Sequence, residues 1–159
     1  MDRQASARTS IERRGDREVV VTRLFDAPPS TVYKAWSRPE LFQRWWMPRS
    51  LAGVSLVSCE LDMRTGGKYR LEFGTGGSET TAFYGKYLDV VPNERIVWTN
   101  DEGEEGAITT VTFADQGGKT LLTFREVYPS KEALEEALQG SLAGLPEQLD
   151  QLDELLSGE

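Results

Sequence analysis

Six leucines near the C-terminal end of the chain, Leu138, Leu142, Leu145, Leu149, Leu152 and Leu156, recur at alternating steps of four and three. That spacing lines up one face of a helix, and a leucine-striped helix needs an apolar surface to lie on. Glu135, Glu136, Glu147, Asp150, Asp153 and Glu154 fall on the other face and read as water-facing. Ser130, directly after Pro129, suits the N-cap, where its hydroxyl accepts a first-turn N–H. Gly140 and Gly144 loosen the pattern, and Pro146 removes a backbone donor and can kink it. The predicted helix therefore spans 130–156 with a weak middle.

The surface for this helix lies upstream. After Gly53 the apolar period changes from helical to alternating and stays so up to Tyr128. Strands are predicted at 54–61, 68–73, 80–91, 95–100, 107–113 and 120–128. Residues 68–73 alternate strictly, with Tyr69, Leu71 and Phe73 on one face and Lys68, Arg70 and Glu72 on the other, as in a half-buried antiparallel strand. Thr65-Gly-Gly, Thr75-Gly-Gly-Ser, Pro92-Asn93 and Gly117-Gly118 supply tight turns, and Asp101 to Gly106 is an acidic loop. Connections this short pair neighbouring strands as a meander.

The N-terminal portion reads differently. Residues 1–16 mix Arg3, Arg8, Arg13 and Arg14 with polar groups and read as a disordered tail ahead of a single domain over 17–157. Residues 17–25 form a β-branched first strand, which Pro28 and Pro29 stop in favour of a short helix at 30–36. Ser37-Arg38-Pro39-Glu40 has the form of a capping box opening a second short helix that runs to Trp45. Trp36, Phe42, Trp45 and Trp46 gather much aromatic area within eleven residues, enough to plug one end of a core or to stack on a ligand.

Composition excludes several kinds of chemistry. The chain has no histidine and one cysteine, Cys59. A Ser-His-Asp or Cys-His centre and a zinc site are therefore ruled against, and an intramolecular disulfide is impossible. Neither GxGxxG nor GxxxxGK[ST] occurs, so no organic cofactor is expected. A net charge of −8 argues against a general nucleic-acid-binding role. No apolar run reaches membrane-span length, and the single thiol suits a reducing, cytoplasmic compartment.

A bent sheet of about seven antiparallel strands has one concave apolar face, and the chain offers one long helix to cover it. This is an α+β architecture of order β-α-α-β6-α. Where the sheet curves away from the helix, a space opens. The inward residues are Tyr69, Leu71, Phe73, Phe83, Trp98, Val111, Phe113, Leu122 and Phe124 from strands and Leu142, Leu145 and Leu149 from the helix, with Trp45 and Trp46 at one end. The same residues suit a fully packed core and a lined pocket alike. Glu60 and Glu126 are the carboxylates expected to face inward.

Four runs carry a family resemblance: VTRLFDAPPSTVYKAWSRPELFQRWWMP, GVSLVSCELDMRTGGKYRLEF, FYGKYLDVVPNERIVWT and VTFADQGGKTLLTF. They resemble bacterial proteins related to the activator of the heat-shock-protein-90 ATPase, within the START-related, birch-pollen-allergen-like superfamily. The most specific parts are the D-A-P…AW…PE…WW block, D-x-R-x-G-G at Asp62 to Gly67 and V-P-x-E-R-I at Val91 to Ile96. The resemblance implies a helix-grip fold, a curved sheet wrapped around the C-terminal helix with a cavity between them. It also implies a carrier or sensor of a lipophilic small molecule, with the fourteen inward residues above as its lining. A cyclase- or hydrolase-like enzyme and a chaperone-interacting module are the alternatives.

Overall fold

The computed structural model describes residues 9–47, 53–74, 80–100, 107–139 and 141–158. Eight strands form one antiparallel sheet in the order β1-β2-β8-β7-β6-β5-β4-β3. They are β1 (Thr9–Arg14), β2 (Glu18–Phe25), β3 (Ser55–Leu61), β4 (Lys68–Gly74), β5 (Thr80–Val91), β6 (Arg95–Thr99), β7 (Ile108–Gln116) and β8 (Lys119–Val127). Seven of the eight coincide with the predicted strands to within a few residues. β1 is the addition. Thr9–Arg14, expected as part of a tail, pairs in continuous register with β2 from Thr9↔Arg23 to Arg14↔Glu18. Its polar composition is that of an edge strand, with five of its six residues exposed.

The bend of the sheet arises within β5. Its first half pairs with β4, from Gly74↔Thr80 to Lys68↔Lys86. Its second half pairs with β6, and the register slips between Tyr87 and Asp89. A slip of this kind bends the strand and increases its twist, so β3, β4 and the start of β5 lean away from the rest. Gly85 sits at the elbow, where an added Cβ would stand 2.0 Å from the Thr99 carbonyl oxygen. Only glycine admits that approach.

The D-x-R-x-G-G turn holds the other side of the elbow. Gly66 N–H donates to the Tyr87 carbonyl and Tyr87 N–H donates to the Gly67 carbonyl, both at 2.8 Å. A Cβ at Gly67 would stand 2.1 Å from the Asp62 carbonyl oxygen, while the Asp62 carboxylate pairs with Arg64 across the turn. The V-P-x-E-R-I segment forms the β5–β6 turn, with Asn93 left-handed at φ 67. Arg95 then pairs with Asp89 at 2.7 Å.

Helix α1 (Pro29–Ser37) extends the expected 30–36 by one residue at each end, with Pro28 as its cap and Pro29 in its first turn. Helix α2 is shorter than expected, covering Pro39–Phe42 only, and the capping box does not form. Arg38, not Ser37, is the cap, and no side chain serves it. Ser37 is still in α1, whose last turn Arg38 N–H closes on Lys34, and Pro39 forces the preceding residue into extended backbone. The C-terminal helix is interrupted. Helix α3 (Lys131–Gln139), a 3₁₀ turn (Ser141–Gly144) and α4 (Leu145–Gly158) follow one another. Ser130 caps α3 as expected, accepting the Ala133 N–H at 3.1 Å. Pro146 sits in the first turn of α4, where a missing N–H costs nothing.

Two sets of contacts fix α4. Gln151 Nε2 donates to the backbone carbonyls of Trp45 (2.9 Å) and Met47 (2.8 Å), and Gln148 donates to that of Trp46. On the other flank Arg23 projects inward from β2 between Val21 and Phe25 and is 2% exposed. It donates to Asp150, to Asp153 at 3.0 Å and to the Thr9 hydroxyl at 3.0 Å, and lies over the Phe25 ring. Asp150 and Asp153, read from sequence as water-facing, instead meet a buried guanidinium.

Candidate functional site

Between the leaning part of the sheet and the C-terminal helices lies a cavity of about 720 Å³. Its floor is the concave face of β4, β5, β6 and β8, set by strict alternation. Tyr69, Leu71 and Phe73 come from β4, Phe83 and Tyr87 from β5, Ile96 and Trp98 from β6, and Phe124 and Glu126 from β8. The roof is the 3₁₀ turn and the first turn of α4, through Leu142, Gly144, Leu145, Glu147 and Gln148. The end wall is Trp36, Phe42 and Trp46.

Nine of the fourteen residues expected at the site meet there: Trp46, Tyr69, Leu71, Phe73, Phe83, Trp98, Phe124, Leu142 and Leu145. Phe83, edge-on to Phe73 at 5.3 Å and more than a third exposed, is at the rim. The other five belong to the packed core. Val111, Leu122 and Leu149 are fully buried, as is Trp45. The Trp45 indole N–H donates to the Ala35 carbonyl at 3.0 Å, which turns its ring under α1. Phe113 packs against Tyr33 and Trp36, so α1 covers it. Trp36, marked in the sequence as part of the aromatic cluster but not counted among the fourteen, lines the cavity and is the hub of its aromatic end wall. Its ring lies 4.8 Å from Trp45 and 6.0 Å from both Trp46 and Trp98. Met47, Val54, Leu61, Met63, Thr81 and Asn100 also line the space unforeseen.

A polar chain crosses the apolar floor. The Tyr69 hydroxyl donates to the Thr99 carbonyl at 2.7 Å and lies 3.4 Å from Asn100 Oδ1. Asn100 Nδ2 donates to the Ala107 carbonyl (2.9 Å) and to the Thr109 hydroxyl (3.1 Å). The hydroxyls of Thr109 and Tyr128 each donate to one oxygen of Glu126. Glu126 is 8% exposed and faces the cavity, as expected. Glu60 does not: it is exposed on the outer face, where it pairs in register with Arg70. Glu72 also faces outward as expected, and hydrogen bonds from Arg70 and then Thr80 hold its carboxyl below the usual range. Among the described residues no three metal-ligating side chains converge.

Burial keeps several acidic hydrogens in place. It pushes Cys59 up to about 11, helped by the neighbouring charge of Glu60, so the thiol is a packing group and not a nucleophile at neutral pH. Burial also raises Tyr33, Tyr87 and Tyr128, the last further by the Glu126 carboxylate. For groups whose folded pKa lies above the unfolded one, stability is complete below the unfolded value and is lost as pH rises through the folded one. The expected result is loss of stability above about pH 10. In an absorbance titration the tyrosinate signal of these three residues should appear together with loss of circular dichroism. A smooth rise with the fold intact would contradict the burial argument.

No helix of the described residues is long and apolar enough to cross a membrane. Comparison with solved structures places the architecture. A Rhodobacter sphaeroides protein superposes with a TM-score of 0.84 over 94% of this chain and 98% of its own, at 20% identity. A Chromobacterium violaceum protein, 28% identical, gives 0.71 over 90% and 99%. An AHSA1-like protein from Aeromonas hydrophila, 18% identical, gives 0.62 over 82% and 92%. These likenesses establish the helix-grip fold. No curated protein matches the sequence. The family model described as "Activator of Hsp90 ATPase homolog 1-like protein" matches residues 26–157, a span that begins at the D-A-P block and ends with α4. The chain belongs to that family of activator-of-Hsp90-ATPase-like proteins, whose fold supports a ligand-binding or chaperone-related module in general.

Proposed function

We propose that this protein binds a lipophilic small molecule, such as a lipid, polyketide or similar apolar metabolite, in the cavity between sheet and C-terminal helix. It would act as a cytoplasmic carrier or sensor. The observation that carries this reading is the cavity itself: about 720 Å³ walled by aromatic and aliphatic side chains with a few polar groups gathered on its floor. Packed cores leave few voids larger than a water molecule, whereas ligand pockets run from about 300 to 1,000 Å³ with this kind of lining. Each methylene buried gains ~0.8 kcal/mol, and lost translational and rotational freedom offsets much of it. A ligand of roughly ten carbons then binds at about micromolar level.

Thermal denaturation against a panel of lipids, polyketides, flavonoids and acyl thioesters tests this. Ligand at 100 times its Kd adds ~2.7 kcal/mol, a shift of roughly 5–10 °C for a domain of this size. One chemical class should move the midpoint, and the same class should perturb tryptophan fluorescence, since Trp36, Trp46 and Trp98 line the space. A panel without effect on either signal overturns the reading and favours the chaperone-related one, which the family description supports. An enzymatic role needs a proton-transfer group in the cavity, and Glu126 is the residue placed for it. Turnover lost in Glu126→Gln while binding persists would identify that role.

A further inference from the structure

Trp36 closes the aromatic end of the cavity with its one polar atom unused. The residue is 2% exposed, and its indole Nε1 is buried with no hydrogen-bond partner. Arg23 Nε shares that condition, but the Arg23 guanidinium is bonded through its other nitrogens to Thr9, Asp150 and Asp153. An indole has no second donor. Buried tryptophans ordinarily place that hydrogen on an acceptor, as Trp45 does on the Ala35 carbonyl. Around Trp36 stand the rings of Phe42, Trp45, Trp46, Trp98 and Phe113, with centroids between 4.8 and 6.4 Å away. Ring faces accept only weakly, and a water held there would need further polar partners that ring faces do not offer. Trp46 and Trp98 are half-buried and, like Trp36, border the cavity. They are the rings that a ligand pressing into the end wall displaces to reach the N–H.

We propose that the ligand of this cavity carries a hydrogen-bond acceptor, a carbonyl or ether oxygen, which the Trp36 indole N–H binds at the aromatic end wall. This rests on the ligand-binding reading above and adds the ligand's polar group and the place where it sits. A ligand carbonyl gives up water on entry, but the donor it meets has already lost its own, so the bond forms without a second desolvation. A hydrocarbon of the same size leaves the N–H unpaired. The single donor also sets a direction: the oxygen end lies against Trp36, and the apolar remainder runs along the floor toward Phe73 and Phe83.

Butyrophenone and butylbenzene have the same carbon skeleton and differ by one carbonyl oxygen. Each is titrated at neutral pH into isotope-labelled protein, whose four tryptophans give four indole N–H signals by NMR, with thermal shift alongside. Butyrophenone should move the Trp36 signal further downfield than butylbenzene does, and the Trp45 signal, already bonded to Ala35, serves as reference. Trp36→Phe should weaken butyrophenone relative to butylbenzene by about fivefold or more, the loss that follows from leaving a buried acceptor unpaired. Equal movement of the Trp36 signal by the two bound compounds overturns the proposal and leaves the ligand-binding reading standing, and that comparison needs no variant to fold. Binding of butylbenzene alone does the same. An equal loss of both in Trp36→Phe also overturns it, because the ring would then only shape the wall. Binding of neither, with all four signals unmoved, defeats both readings.

Discussion

Replacing Asp150 and Asp153 together by alanine lowers the unfolding free energy by about 3–5 kcal/mol, a fall of roughly 10 °C in melting temperature. The size follows from which partner is buried. The Arg23 side chain is 2% exposed, whereas Asp150 and Asp153 keep 36% and 24% of theirs. Without the two acids the guanidinium retains the Thr9 hydroxyl and the Phe25 ring, and its Nε already lacks a partner. An uncompensated buried charge is the costly case. The reverse substitution should behave differently. Arg23→Met removes the buried charge, keeps most of the volume and leaves two carboxylates that can turn to water, so its cost stays within about 1–2 kcal/mol. Urea denaturation of both variants checks the asymmetry. Equal losses would mean that the acids hold α4 by some means other than Arg23.

Trp45→Ala and Trp46→Ala should separate stability from binding. Trp45 is fully buried and its indole N–H is bonded to Ala35, so its removal costs about 3–5 kcal/mol. The Trp46 ring stacks on Phe42 at 4.7 Å and lines the cavity, and half-buried area lost beside existing space costs about half as much or less. Ligand-induced thermal shift should survive in Trp45→Ala at temperatures where that variant is folded, and should shrink in Trp46→Ala. The opposite pattern would place the cavity on the far side of the end wall.

Adjacent tryptophans show how far the sequence could be read. Composition marks Trp45 and Trp46 alike; only the direction of the chain leaving α2 turns one into the core and the other toward the cavity. Alternation was sufficient for the floor, since Tyr69, Leu71, Phe73, Trp98, Phe124 and Glu126 all sit where a period of two puts them. It failed at Glu60 for a local reason. The register of β3 slips between Leu56 and Ser58, and a one-residue slip moves every later side chain to the other face. Val111, Phe113 and Leu122 do lie on the concave face, but alternation says which face a residue is on and not what covers it. Here α1 and the core do. The acidic stripe of α4 was misread because its partner, Arg23, lies on a strand more than a hundred residues earlier. An arginine at the inward position between Val21 and Phe25 was the available signal.

β1 is the segment that composition discounts. The strand beneath it, β2, carries Val19, Val20 and Val21 in succession, and such a β-branched run with an open hydrogen-bonding edge is a template for other chains. Glu12, Arg13 and Arg14 lie in register against Val20, Val19 and Glu18, so the outermost ladder of the sheet ends in charges instead of valines. A chain trimmed at Arg17, as its polar N-terminal composition invites, would keep its cavity and lose its protection against self-association.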